Sequence, residues 1–377
     1  MGAPSDDTGL SGNIPDGAEL VAIERRCRGG GQVIYSTCKS RQIDSYVFGP
    51  PEKDPTRDAN GITKEPTLAG ELRIAVIGQA AFGESVLNAL VERGEEVAGV
   101  FCPPDQEGRP VDPIKQAAQA LETPVFQFRR MRSQPAIDAF RSLNADLCVM
   151  AFVTDIVPDA ILDAPSRGTI QYHPSLLPKH RGPSAMNWPI ITGESQTGLS
   201  IFWPDNGLDT GPILLQKEVE IGPDDTLGTL YFDKLFGLGV DAMTEAVDMV
   251  RDGTAPKIPQ DETQATYEGW CKPENLAIDW GKSVDEIYNV VRGGDPSPGA
   301  SSSFDGAAVA FFRAAKTTGD SGRPPGEVLD VNENGFKIAA RGGSISVGRV
   351  QPERARKVMA PEWAESVGLK KGARFGT

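Results

Sequence analysis

The hydrophobic pattern divides the chain near residue 71. Before it, apolar periodicity is weak and Gly, Pro, Asp and Arg are frequent, so residues 1–70 read as a partly ordered extension. Val33-Ile34-Tyr35 and Tyr46-Val47-Phe48 are the only short strand candidates there. After it, Leu72 to Gly78 is a buried-strand run. A helix over about 82–93 follows, with Phe82, Val86, Leu87, Leu90 and Val91 on one face. Strands at 97–101, 124–128 and 146–152 alternate with helices at 113–121 and 133–142. That alternation predicts an α/β domain over 71–253 with a doubly wound, mostly parallel sheet, a Rossmann-like variant whose ligands bind beyond the carboxyl ends of the strands. One long helix, Leu227 to Arg251, is expected to close it. Residues 254–266, with Pro256 and Pro259, read as a linker. In 267–377 a helix at 283–292 and short alternating strands, including 326–331 and 336–340, predict a small OB-like β-barrel.

Composition narrows the function classes. Hydrophobic content of 39% and charged content of 24% are those of an ordinary globular protein. No apolar run is long enough to span a bilayer, so no membrane partner is expected. A net charge of -14 argues against broad binding of phosphate backbones. The exception is local: residues 334–377 hold nine Lys and Arg against three Glu, a net +6 that reads as a tRNA-facing patch or as a solvated tail. The five cysteines are odd in number and widely spaced, which fits a reducing compartment, and a cytoplasmic protein is expected. Cys148 reads as core. With two histidines in the chain no metal site is expected. Asp6 breaks the myristoylation pattern, and the early acids Asp7, Asp16 and Glu19 do not suit a transit peptide. The first turn, Gly78-Gln79-Ala80-Ala81-Phe82-Gly83, has two of the three dinucleotide-binding glycines, and no acid ends the second strand, so NAD binding is not expected.

The chemistry concentrates in 169–217. Both histidines, His173 and His180, fall here, with Arg181-Gly182-Pro183 and Asp205-Asn206-Gly207-Leu208-Asp209-Thr210-Gly211. His173 ends an apolar strand, where functional groups project, although a core or capping histidine fits as well. Asp209 lies in a tight glycine-flanked turn, where an aspartate usually bonds its own backbone.

The run His173-Pro174-Ser175-Leu176-Leu177-Pro178-Lys179-His180-Arg181-Gly182-Pro183-Ser184 resembles a signature of the 10-formyltetrahydrofolate-dependent formyltransferase and hydrolase family, and Gly198 to Gly211 is similar to its second signature. The resemblance covers about 72–275, and the tail resembles the carboxy-terminal barrel of methionyl-tRNA formyltransferase and of the hydrolase part of 10-formyltetrahydrofolate dehydrogenase. It implies 10-formyltetrahydrofolate as co-substrate, with His173 acting on the formyl carbonyl and Asp209 orienting or deprotonating the nucleophile. Transferases of the family carry Asn two residues before the histidine; Gln171 stands there in this chain and keeps an amide donor on a longer arm. The hydrolase branch carries an apolar residue there, followed by Tyr, as Tyr172 follows here. By position the resemblance assigns the folate pocket to Met150, Ala151, Phe152, Val153, Ser175, Leu177, Asp205, Asn206 and Gly207. Three acceptors compete: the amine of initiator methionyl-tRNA, which leads because of the basic segment, then water, and a small amine such as an amino sugar. The complete dehydrogenase is not expected, because no carrier or aldehyde dehydrogenase part follows the barrel. A folate-binding relative impaired by the Gln171 change is the non-enzyme alternative.

Overall fold

The computed structural model describes residues 72–376, so the extension and the strand candidates at 33–35 and 46–48 lie outside the described residues. Strands β1 (Arg73–Gly78), β2 (Glu96–Cys102), β3 (Val125–Gln127), β4 (Leu147–Ala151) and β5 (Thr169–His173) alternate with helices α1 (Ala80–Glu92), α2 (Pro113–Ala120), α3 (Gln134–Ser142) and α4 (Asp159–Leu162). Helix α1 buries Phe82, Val86, Leu87 and Leu90, the face that its 3.6-residue period marks. Next come α5 (Asn187–Thr192), β6 (Gln196–Phe202) and β7 (Ile213–Glu220). The sheet order is β3-β2-β1-β4-β5-β6-β7. It is parallel as far as β5 and antiparallel beyond, so the doubly wound, mostly parallel sheet is present. The winding reverses between β1 and β4, which opens a crevice at their carboxyl ends.

The glycine that ends β1 has a packing cause. A Cβ on Gly78 would lie 2.7 Å from the Ala151 carbonyl, so the residue lets β1 and β4 close together.

The segment expected as one helix is broken. A short turn α6 (Leu227–Thr229), capped by Thr226, runs into a wider π-helical stretch at Leu230–Leu235 before α7 (Phe236–Arg251). The added residue per turn changes the register, which apolar spacing alone does not reveal. It sets Phe236 edge-on to Phe82 at 5.7 Å.

The second core holds α8 (Val284–Gly293), β8 (Ala300–Phe304), β9 (Ala307–Thr318), β10 (Val328–Asn332), β11 (Gly335–Ala340), β12 (Gly343–Pro352), β13 (Val358–Met359) and α9 (Ala360–Ser366). The strands run antiparallel in the order β10-β11-β12-β9-β8, with β13 on β12. The last residues close the gap between the two edges. Val328 of β10 donates to Ala373 O and accepts from Gly372 N, Gly326 O accepts from Phe375 N, and Gly376 N donates to Ser303 O of β8 at 2.9 Å. Phe375 sits in the centre, 3% exposed, with its ring 5.3–6.4 Å from those of Trp280, Phe304, Phe311 and Trp363, and stacked on Phe336. Helix α8 docks this unit on the first: Tyr288 Oη donates to Asp224, and buried Arg292 donates to the carbonyls of Gly222 and Asp225. Among the described residues no helix is long and apolar enough to cross a membrane.

Candidate active site

Strand alternation builds the centre. On β5, Ile170 and Tyr172 face the α1 side, where Tyr172 meets Phe82 at 4.3 Å. Burial pushes the Tyr172 phenol above its ordinary range, so it stays neutral. Gln171 and His173 therefore share the opposite face, beside Met150 of β4 and Phe202 of β6.

His173 is 5% exposed, and its two ring nitrogens have different surroundings. Nε2 lies 2.8 Å from the His180 carbonyl, which can only accept, so Nε2 carries a proton. Nδ1 then faces Asp209, 3.6 Å from Oδ2.

Asp209 is 7% exposed and left-handed, with φ +56°. It does not bond its own turn. Asp205 does that, accepting from Gly207 N at 3.0 Å and from Thr210 Oγ1 at 2.6 Å. Asp209 instead crosses to the signature loop, where Oδ2 accepts from Gly182 N at 2.8 Å. Oδ1 makes no hydrogen bond among the described residues. The turn is tight enough to exclude other residues at its far corner: a Cβ on Gly211 would lie 1.8 Å from the Trp203 carbonyl. Phe152 (φ +62°), which follows β4, and His180 (φ +56°), in the signature loop, are also left-handed.

The remaining candidates divide by exposure. Gln171 is half-buried and its amide makes no hydrogen bond among the described residues. Phe152 is 47% exposed, and with Val153 it lines a cavity of about 200 Å3 at the carboxyl ends of β1, β2 and β4, whose wall includes Gly78, Arg129 and Asp155. Asn206 is exposed on the loop before Asp209, whereas Met150 and Ala151 are buried within β4. Ser175 is fully buried and donates to the Lys179 carbonyl at 2.6 Å. Leu177 packs with Phe202 and Ile213. These last two side chains are spent on the fold of the loop that presents His180 and Gly182.

Sequence reading missed the support behind Asp209. Arg181, 7% exposed, spans Gln260 and Glu262. Its bonds to Glu262 push the guanidinium above its ordinary value, and the charges of Glu262, Asp209 and Asp205 act in the same direction against burial. Gln260 donates to the carbonyls of Asp209 (2.9 Å) and Gly211 (2.7 Å). Its neighbours Pro256 and Pro259 mark a connector, and nothing in the local pattern signals a contact with the centre. His180 stands between Glu194 (3.0 Å) and Glu268 (3.3 Å). Among the described residues no cluster of three His, Cys, Asp or Glu could hold a metal ion.

Residues 72–247 match the family described as formyl transferase, and residues 271–368 match formyl transferase, C-terminal domain. Over 308 residues the chain is 41% identical to the mitochondrial 10-formyltetrahydrofolate dehydrogenase of Homo sapiens, covering 78% of this chain and 33% of that protein. Over 314 residues it is 35% identical to the methionyl-tRNA formyltransferase of Geobacter sulfurreducens, covering 82% of this chain and 98% of that one. The chain thus spans about a third of the dehydrogenase and nearly all of the transferase. The crystal structure of HypX from Aquifex aeolicus in complex with tetrahydrofolic acid shares the fold, with a TM-score of 0.61 at 18% identity over 82% of this chain and 51% of that one.

Proposed function

The chain belongs to the formyl transferase family, and on that premise we propose that it removes the formyl group of 10-formyltetrahydrofolate and transfers it to an amine, methionyl-tRNA being the leading acceptor. The observation that carries the reading is the buried His173–Asp209 pair at the carboxyl edge of the sheet.

The roles follow from the atoms. The acceptor nitrogen attacks the formyl carbon, and the carbonyl oxygen becomes an oxyanion. Nε2–H of His173 is committed to the His180 carbonyl, so a donor to that oxygen must be Nδ1–H of the doubly protonated ring. Asp209 at 3.6 Å is the counter-charge for that ring. With Oδ2 held by Gly182, Oδ1 is the atom that takes the proton of the attacking amine. The tetrahedral adduct collapses by breaking the bond to N10 of the folate, which leaves with the proton that Oδ1 of Asp209 took from the amine, so the carboxylate is regenerated. The Gln171 amide, on the same face as His173, is the second donor to the oxyanion. The pterin side is assigned to Phe152 and Val153, which line the cavity, and, by position in the family signature, to the 205–207 loop, with backbone groups reading the ring edge.

Two features support a tRNA acceptor: the overlap with nearly the whole Geobacter enzyme, and exposed Arg341, Arg356, Lys370 and Lys371, which carry no ion pair among the described residues. The second reading, water as acceptor, rests on Tyr172 and on the higher identity to the dehydrogenase. Turnover of 10-formyltetrahydrofolate with and without charged initiator tRNA separates them. Strict dependence on the tRNA supports transfer, and release without an acceptor supports hydrolysis. No release in either condition overturns both and leaves a folate-binding relative. His173→Ala and Asp209→Ala should each lower turnover by about 10²–10⁴-fold with the fold intact; wild-type rates in either variant would refute the site.

A further inference from the structure

We infer that Gln260, in the segment between the two cores, is the positioning residue that sets the backbone of Asp209. The inference rests on the assignment of Asp209 to proton transfer above.

The segment is pinned at both ends by main-chain bonds. Ile258 exchanges a hydrogen-bond pair with Ile213 of β7, at 2.8 and 2.9 Å. Residues 266–268 run as a short strand beside the signature loop: Thr266 N donates to Pro178 O, Arg181 N to Thr266 O, and Glu268 N to Arg181 O. His180 N adds a bond to Thr266 Oγ1 at 2.8 Å. The segment therefore holds the loop that supplies both contacts to the catalytic pair, the His180 carbonyl and the Gly182 amide.

Gln260 joins that loop to the Asp209 turn. One amide proton bonds the Asp209 carbonyl and the other the Gly211 carbonyl, while the amide oxygen accepts from Nε and Nη2 of Arg181 at 3.1 and 2.8 Å. Arg181 is the residue before Gly182, so one side chain ties together the backbone on both sides of the Asp209 carboxylate. Asp209 needs this because its left-handed backbone relaxes unless the surroundings over-determine it. The position requires an amide. A carboxylate of equal size would still accept from Arg181, yet it would face two carbonyl oxygens with no proton to offer.

The test compares Gln260→Glu with Thr263→Ala in the full chain. Thr263 lies on the same segment, is exposed, and bonds only Asp261. Gln260→Glu should lower kcat for formyl release roughly 10²-fold, the penalty of a misplaced group, with KM for 10-formyltetrahydrofolate within about twofold. Thr263→Ala should keep both constants. Hydrogen exchange provides a readout independent of activity: protection of the amides of His180, Arg181 and Gly182 should fall about tenfold in Gln260→Glu and stay unchanged in Thr263→Ala. Unchanged kcat in Gln260→Glu overturns the inference, as does equal loss in both variants, which would mean a generic strap. If the wild type releases no formyl group, the functional reading fails and the exchange result alone decides whether Gln260 sets the turn; unchanged protection then overturns it.

Discussion

Gly182 is the residue where a single methyl group should damage catalysis most directly. It has φ +110°, outside the left-handed well that Asn and Asp tolerate, and a Cβ there would lie 2.3 Å from the Glu268 carbonyl oxygen. That oxygen is main chain and cannot swing aside as a flexible side chain does. In Gly182→Ala the 266–268 segment must retreat until the contact exceeds 3.0 Å, or the alanine must leave its dihedral angle. Strained dihedrals of this kind cost about 1–3 kcal/mol. Retreat weakens the Glu268 N to Arg181 O bond, now 3.1 Å, at about 0.5–1.5 kcal/mol. Either response moves the amide that holds Asp209 Oδ2 at 2.8 Å. A displacement approaching 1 Å at a reacting group lowers the rate about 10²-fold, so kcat should fall by that order while the folded fraction at 25 °C stays near unity. The assay is steady-state release of tetrahydrofolate, with thermal unfolding run in parallel. A variant that folds and retains kcat within threefold of wild type would refute the claim that the Gly182 amide positions Asp209.

Other outcomes follow from the same contacts. Gln171→Ala should lower kcat about 10²–10³-fold if the amide serves the oxyanion, whereas Gln171→Asn should keep most of the activity; equal rates in wild type and Gln171→Ala, measured by single-turnover formyl release, would remove Gln171 from the mechanism. Phe375→Ala, which deletes the ring at the centre of the barrel core, should destabilise that unit by about 3–5 kcal/mol in urea unfolding followed by tryptophan fluorescence, since Trp280 and Trp363 flank the ring. A loss below about 1 kcal/mol would show that the last residues are not integral to the barrel.

Much of this protein can be read from short-range order in the chain. Alternating apolar runs at 72–151 specify strands and helices because each element buries a face with its own period, and β1 to β4 and α1 to α3 stand where those periods place them. The same two-residue period puts Gln171 and His173 on one face of β5. The two signatures locate His173 and Asp209 without a structure. The antiparallel strand β7 was less legible: it is an edge strand with one solvated face, and its residues Gln216 to Glu220 look polar. The π-helical break after Leu230 was hidden too, because one added residue shifts the register without changing composition.

Tertiary structure alone decided how the pair is arranged. Which ring nitrogen of His173 faces Asp209 depends on the His180 carbonyl, and the carboxylate's orientation depends on the Gly182 amide. Gln260 and Arg181 entered the centre only because irregular segments met in space, and Phe375 reached the barrel core from the far end of the chain. Periodicity encodes which face of an element is buried, since that depends on neighbours three or four residues away. Backbone hydrogen bonds between loops depend on partners at arbitrary separation and carry no local pattern, so the residues that position His173 and Asp209 became visible only when the chain was folded.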